Sequence, residues 1–117
     1  MPRRSDHIDQ SERNEAAYRT LHDAAHYDWA ATTLFYAALH LVDAYHWPNR
    51  YKNHPKRKAS IATDPALAHI SMHYEELYNR SQDARYDCIS FTAKQSSDLQ
   101  SLDYAPLRAH IRSLLGL

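Results

Sequence analysis

Glycine is nearly absent from this chain: its 117 residues include one, Gly116, beside the C-terminus. At average usage a chain of this length carries about eight. Tight turns and left-handed backbone conformations rely on glycine. Its absence therefore removes phosphate-cradling loops, dinucleotide fingerprints, two-residue hairpins and nucleophile elbows together. Long helices with short connections are what such a chain can build, and the length suits one domain, residues 1–117. The single cysteine, Cys88, can make neither an internal disulfide nor a thiolate zinc site, and fits a small core position in a reducing compartment. Basic and acidic residues balance at 14 each, so net charge points to no partner. The N-terminus is charged with no apolar run behind it, and Thr32, Thr33, His40 and Asp43 interrupt the most apolar stretch, 29–44. A cytoplasmic protein without a membrane span is expected.

Hydrophobic periodicity predicts an up-and-down four-helix bundle with one extra short helical turn. A first helix from about Ser5 to His26 has Ala17, Tyr18, Leu21, Ala24 and Ala25 in one stripe, with Ser5 or Asp6 as its cap. The second runs from an Asp28 cap to Trp47, where Pro48 and Asn49 stop it. One of its faces carries Ala31, Leu34, Phe35, Ala38, Leu41, Val42 and Tyr45, and the opposite face carries Trp29, Thr33, Tyr36, His40 and Trp47. A helix apolar on both sides needs two partners. The second partner is either another copy of the chain, meeting Trp29, Tyr36, His40 and Trp47, or the chain's own helices. Asp64 and Pro65 open a third long helix to about Ser81, with a core stripe of Leu67, Ile70, Tyr74, Leu77 and Tyr78. A turn is expected at 83–87, a polar loop at 94–101, the extra turn at 56–61, and a final helix marked by Leu107, Ile111, Leu114 and Leu115.

Nine histidines raise the question of a metal. His22 with His26, and His69 with His73, each place two imidazoles one helical turn apart, but no His-Glu-x-x-His or Glu-x-x-His pattern accompanies them. Both pairs read as solvated helix faces, and no metal or cofactor is expected. Glu76 sits where it can pair with Arg80. The stronger signal is the stretch Arg50-Tyr51-Lys52-Asn53-His54-Pro55-Lys56-Arg57-Lys58, with five basic residues and no acid. Cations interleaved with Tyr51 and the nearby Trp47 offer phosphate contacts and stacking surfaces. His54 beside arginines adds a proton-transfer group next to groups that stabilise an oxyanion. A solvated connection between helices is the alternative.

These residues carry a resemblance. The block from Tyr27 to His40 (YDWAATTLFYAALH) is similar to the second helix of small bacterial HEPN (higher eukaryotes and prokaryotes nucleotide-binding) domains. The spacings His54-x2-Arg57, Tyr74-x2-Leu77 and Ser81-x2-Ala84-Arg85-Tyr86 resemble the same group, so the likeness spans about His7 to Phe91. It implies a dimerising helical bundle with an RNA-facing groove. Many such domains are metal-independent endoribonucleases of toxin, phage-defence or CRISPR systems, and some are paired with a nucleotidyltransferase-type antitoxin. Their Arg-x4–6-His signature, near the end of the third long helix, corresponds here to 80–86, which holds arginines and no histidine. The one pair with that spacing, Arg19 and His26, lies on the first helix. Two readings follow. In one, His54, Arg57 and Arg80 form a variant catalytic site, with Arg50, Tyr51, Lys52, Lys56, Lys58, Arg85 and Tyr86 holding RNA. In the other, the domain binds RNA, a nucleotide or a protein partner without cleavage.

Overall fold

The computed structural model describes residues 2–117, and every regular element among them is helical. α1 (Arg4–Asp23) and α2 (Tyr27–His46) form an antiparallel hairpin. α3 (His54–Thr63) follows a loop, and a 3-10 turn (Ala68–Ile70) leads into α4 (Ser71–Tyr86). α5 (Ala93–Asp98), a π-helical turn (Leu99–Tyr104) and α6 (Ala105–Leu114) join end to end as one rod. The four long members are α1, α2, α4 and this rod. Tyr18 meets Ser96 while Glu12 meets Arg112, so the rod runs antiparallel to α1. The result is an all-helical bundle with α3 packed outside it. Among the described residues, no helix is long and apolar enough to cross a membrane.

The bundle forms around α2. Eleven of its residues are buried, and they lie on nearly every side: Ala30, Ala31, Thr32, Leu34, Phe35, Ala37, Ala38, Leu39, Leu41, Val42 and Ala44. Small side chains let α1 come close enough for the buried Ser11 hydroxyl to donate to the Ala37 carbonyl at 2.8 Å. Leu67, Ile70, Tyr74 and Leu77 pack on another side, and Leu99, Tyr104, Leu107 and Ile111 close the core. Arg4 crosses the end of α2, donating to the Ala44 and Trp47 carbonyls at 3.0 and 3.3 Å. There its charge meets carbonyls that the helix leaves unpaired.

Several boundaries differ from the periodicity reading, each for a local reason. α1 ends at Asp23, because Ala25 takes φ 64°. The Ala25 and His26 N–H groups return to the His22 and Leu21 carbonyls at 3.0 and 2.8 Å, which closes the helix. Ala24 and Ala25 are therefore exposed and do not extend the stripe. Gly116, at φ 76°, ends α6 through the same pair of bonds, to Ser113 and Arg112. At the start of α1 the cap position is Arg3, whose N–H donates to the Asp6 carboxylate at 2.7 Å. His26, not Asp28, precedes α2, and Asp28 lies inside its first turn.

The extra turn at 56–61 is a ten-residue helix, because the Asn53 side chain caps it by accepting from Lys56 N–H at 2.9 Å. Asp64 does accept from Ala66 N–H, but regular α-helix starts only at Ser71 and runs through the expected turn to Tyr86. The expected loop at 94–101 is helical: Thr92 and Gln95 cap each other's backbone at 3.1 and 2.8 Å. Cys88 is exposed at φ 55° rather than in the core.

Candidate functional site

The 50–58 segment straddles the loop after α2 and the first turns of α3, so its side chains divide between two places. The first is a cleft of about 330 Å³ lined by His7, Asp43, Trp47, Asn49, Arg50, Tyr51, Lys52 and Arg57. Tyr51 packs edge-on against His46 at 4.9 Å, and burial lowers the His46 pKa. Arg57 Nε and Nη2 donate to the two oxygens of Asp43 at 3.0 and 3.2 Å, with side chains 16% and 14% exposed. That bidentate pair ties α3 to α2 and occupies the guanidinium.

The second place lies where α3 meets α2 and α4. The His54 ring is held between Phe35 and Tyr78, at centroid distances of 5.7 and 4.9 Å. Its Nδ1 is buried without a hydrogen-bond partner. Burial lowers its pKa first, and the charges of Arg57, Arg85 and Lys58 push the same way, so the imidazole is neutral at pH 7. Lys58 Nζ lies 3.8 Å over the Tyr78 ring. Arg85 donates to the Tyr36 hydroxyl at 2.7 Å and to Ser81, and its guanidinium faces the Tyr36 and Tyr86 rings at 5.4 and 5.1 Å. Tyr86 itself is exposed. Two cations, a neutral imidazole and three tyrosines thus share one surface region.

Arg80 is elsewhere. It pairs with Glu76 at 3.4 Å, as the sequence predicts, and with Asp83 at 3.0 Å, in a pocket lined also by Phe91, Leu99 and Leu102. Arg80 and Arg85 are five residues apart, about 140° around the helix, so they face different neighbours. Lys56 is exposed on α3 and Lys52 in the loop before it. Among the aromatics of α2, Trp29 is exposed and Trp47 lies under Arg4. Tyr36 is held by Arg85, and His40 meets His7.

The histidine pairs singled out earlier do not join into a group. His22 pairs with Ser96, His73 with Asp103 at 3.0 Å, and the His69 ring with His110 at 4.1 Å. The one set of three close metal-ligating side chains among the described residues is His7, His40 and Asp43. Sequence reasoning missed it because His7 lies 33 positions from His40. The available signal was His40-x2-Asp43, one turn apart on α2, facing the start of an antiparallel α1. Burial lowers the pKa of His40, and His7 adds to the effect. No family model matches the sequence, and no curated protein or solved structure matches it either.

Proposed function

We propose that this chain is an RNA-binding protein of HEPN-like type that grips the phosphate backbone through Arg85 and Lys58 and stacks bases on Tyr86 and its neighbours. The observation that carries this reading is the Arg85 guanidinium between Tyr36 and the exposed Tyr86, with Lys58 and His54 beside it. Flat rings next to fixed cations suit a single strand, whose bases are free to stack. The resemblance of 27–40 and of the His54, Arg57 and Arg85 spacings supports the same class of ligand. Fluorescence anisotropy with a single-stranded RNA across a salt series tests it. Arg85→Ala and Lys58→Ala should each weaken binding, and each lost phosphate contact should flatten the salt slope by about one. Undetectable binding, or binding untouched by both variants, refutes the reading.

The tautomer of His54 favours binding over cleavage. A buried nitrogen without a partner costs less as a lone pair than as an N–H. With Nδ1 buried, a ligand meets Nε2, and that nitrogen then carries the proton and donates to a phosphate oxygen. Metal-independent cleavage is the second reading, favoured by an imidazole kept neutral beside Arg57 and Arg85. In it, His54 accepts the ribose 2′-OH proton and the 2′-oxygen attacks the phosphorus while an arginine stabilises the charge. The P–O5′ bond breaks, leaving a 2′,3′-cyclic phosphate and a 5′-hydroxyl that takes the proton back. Incubating RNA with the protein and a chelator separates the two: a cyclic-phosphate product lost in His54→Ala establishes cleavage. A homodimer, and a nucleotidyltransferase-type partner, belong to the same proposal. Exposed Trp29 on the central helix supports the dimer, and a monomeric mass by light scattering argues against it.

A further inference from the structure

The hairpin of α1 and α2 brings together side chains with no part in the RNA surface just described. His7 sits one turn into α1, opposite His40 and Asp43 near the end of α2. The two imidazoles meet Nδ1 to Nδ1 at 3.1 Å, and the ligand atoms of all three residues lie within 4.8 Å of one another. The geometry points to a divalent transition-metal site, of the kind zinc prefers, held by His7 Nδ1, His40 Nδ1 and one Asp43 oxygen.

Three observations support this assignment. The first is the bite of the two rings. Zinc–imidazole bonds are about 2.0–2.1 Å, so two nitrogens on one tetrahedral ion stand about 3.3 Å apart. The rings already hold their Nδ1 atoms close to that spacing in a hydrogen bond, and an ion would take the place of its proton, which moves to Nε2 of the donor ring. The second is the state of the carboxylate. Arg57 takes one lone pair from each oxygen of Asp43 and fixes its orientation, leaving further lone pairs on both oxygens. A ligating carboxylate is ordinarily anchored by such an outer hydrogen bond. The third is access. His7 and Asp43 line the cleft of about 330 Å³, which gives an ion a route in and leaves its remaining coordination position to water or an anion. Two imidazoles and one carboxylate are a borderline donor set, matched to zinc and its first-row neighbours rather than to magnesium or calcium. Arg57, and Arg50 and Lys52 in the same cleft, oppose a cation, so the three ligand bonds rather than the field of the site must hold the ion.

The test is calorimetric titration of the chelator-treated full chain with zinc, repeated with cobalt to read the visible absorption of a bound ion. The expected result is one ion per chain, with a cobalt spectrum of low coordination number. His7→Gln and His40→Gln should each weaken binding by more than about tenfold, since each removes a ligand. His7 lies near the start of α1 and is half-buried, so His7→Gln keeps the test valid even if His40→Gln disturbs the core. A double variant, His69→Gln with His110→Gln, removes the other close imidazole pair and should bind as wild type does. The site is overturned by the absence of saturable one-to-one binding, by wild-type affinity in His7→Gln, or by equal losses in the His69 and His110 double variant. The assignment is independent of RNA binding, which Arg85 and Lys58 should maintain in His7→Gln.

Discussion

At the scale of single residues, the shortage of glycine leaves a mark on the backbone. Ala25 and Gly116 perform the same task, closing a helix through a left-handed residue, yet only one of them lacks a Cβ. The left-handed conformation costs a side-chain-bearing residue roughly 1–2 kcal/mol, while glycine's extra freedom when unfolded returns about 0.4–1 kcal/mol of that. Ala25→Gly should therefore stabilise the fold by on the order of 0.5–1 kcal/mol, read as a higher urea midpoint. His54 gives a second expectation. Its folded-state pKa is held below 6.5, as are those of His40 and His46, all chiefly by burial. Below pH 6.5 the unfolded chain takes up protons that the folded chain refuses, so stability falls as the solution is acidified. Melting temperatures should hold steady above about pH 7 and decline below it, and His54→Phe should make that decline shallower. A melting temperature that rises toward pH 5.5 contradicts this sign.

At the scale of elements, what was legible in the sequence depended on which residue types carry the burial. The second helix and the stripe of Leu67, Ile70, Tyr74 and Leu77 announce themselves because large apolar side chains recur at helical spacing. The 94–101 stretch does not, since its buried contact at the start is a serine. Ser96 accepts the Tyr18 hydroxyl through its carbonyl at 3.0 Å and meets His22 Nδ1 at 2.9 Å through its own hydroxyl. The π turn then shifts the register so that both Leu99 and Tyr104 face the core, a spacing of five that an α-helical template does not score. The helix start was nevertheless readable as Thr92-x2-Gln95, a capping box. Thr92→Ala should cost about 1 kcal/mol and fray α5 first, which amide exchange at 95–97 would report. The RNA candidates show the same limit. Their residue types stand out in the sequence, but only the helix phase separates Arg80 from Arg85, and only the α2–α3 junction diverts Arg57 to Asp43.

At the scale of the whole molecule, the antiparallel order of the rods decides which distant residues meet. His7 reaches His40 and Glu12 reaches Arg112 for that reason alone. The central position of α2 has a further consequence, for the order in which the molecule comes apart. Every other long rod packs against this helix, and its residues 30–44 contact α1, α4 and the C-terminal rod before they contact water. Peripheral parts can open one at a time: α3, held by the Arg57–Asp43 pair and the buried Ile61, or the last turn of α6 with its exposed Leu114. Amide hydrogens in the middle of α2 have no such private route and can exchange only when the bundle as a whole unfolds. Their exchange rates should therefore converge on the global unfolding free energy measured by denaturant, while those of α3 and α6 exchange through smaller openings. Several α2 amides exchanging as fast as those of α3 would mean that the hairpin detaches on its own, with the core dividing along α2 instead of yielding as a unit.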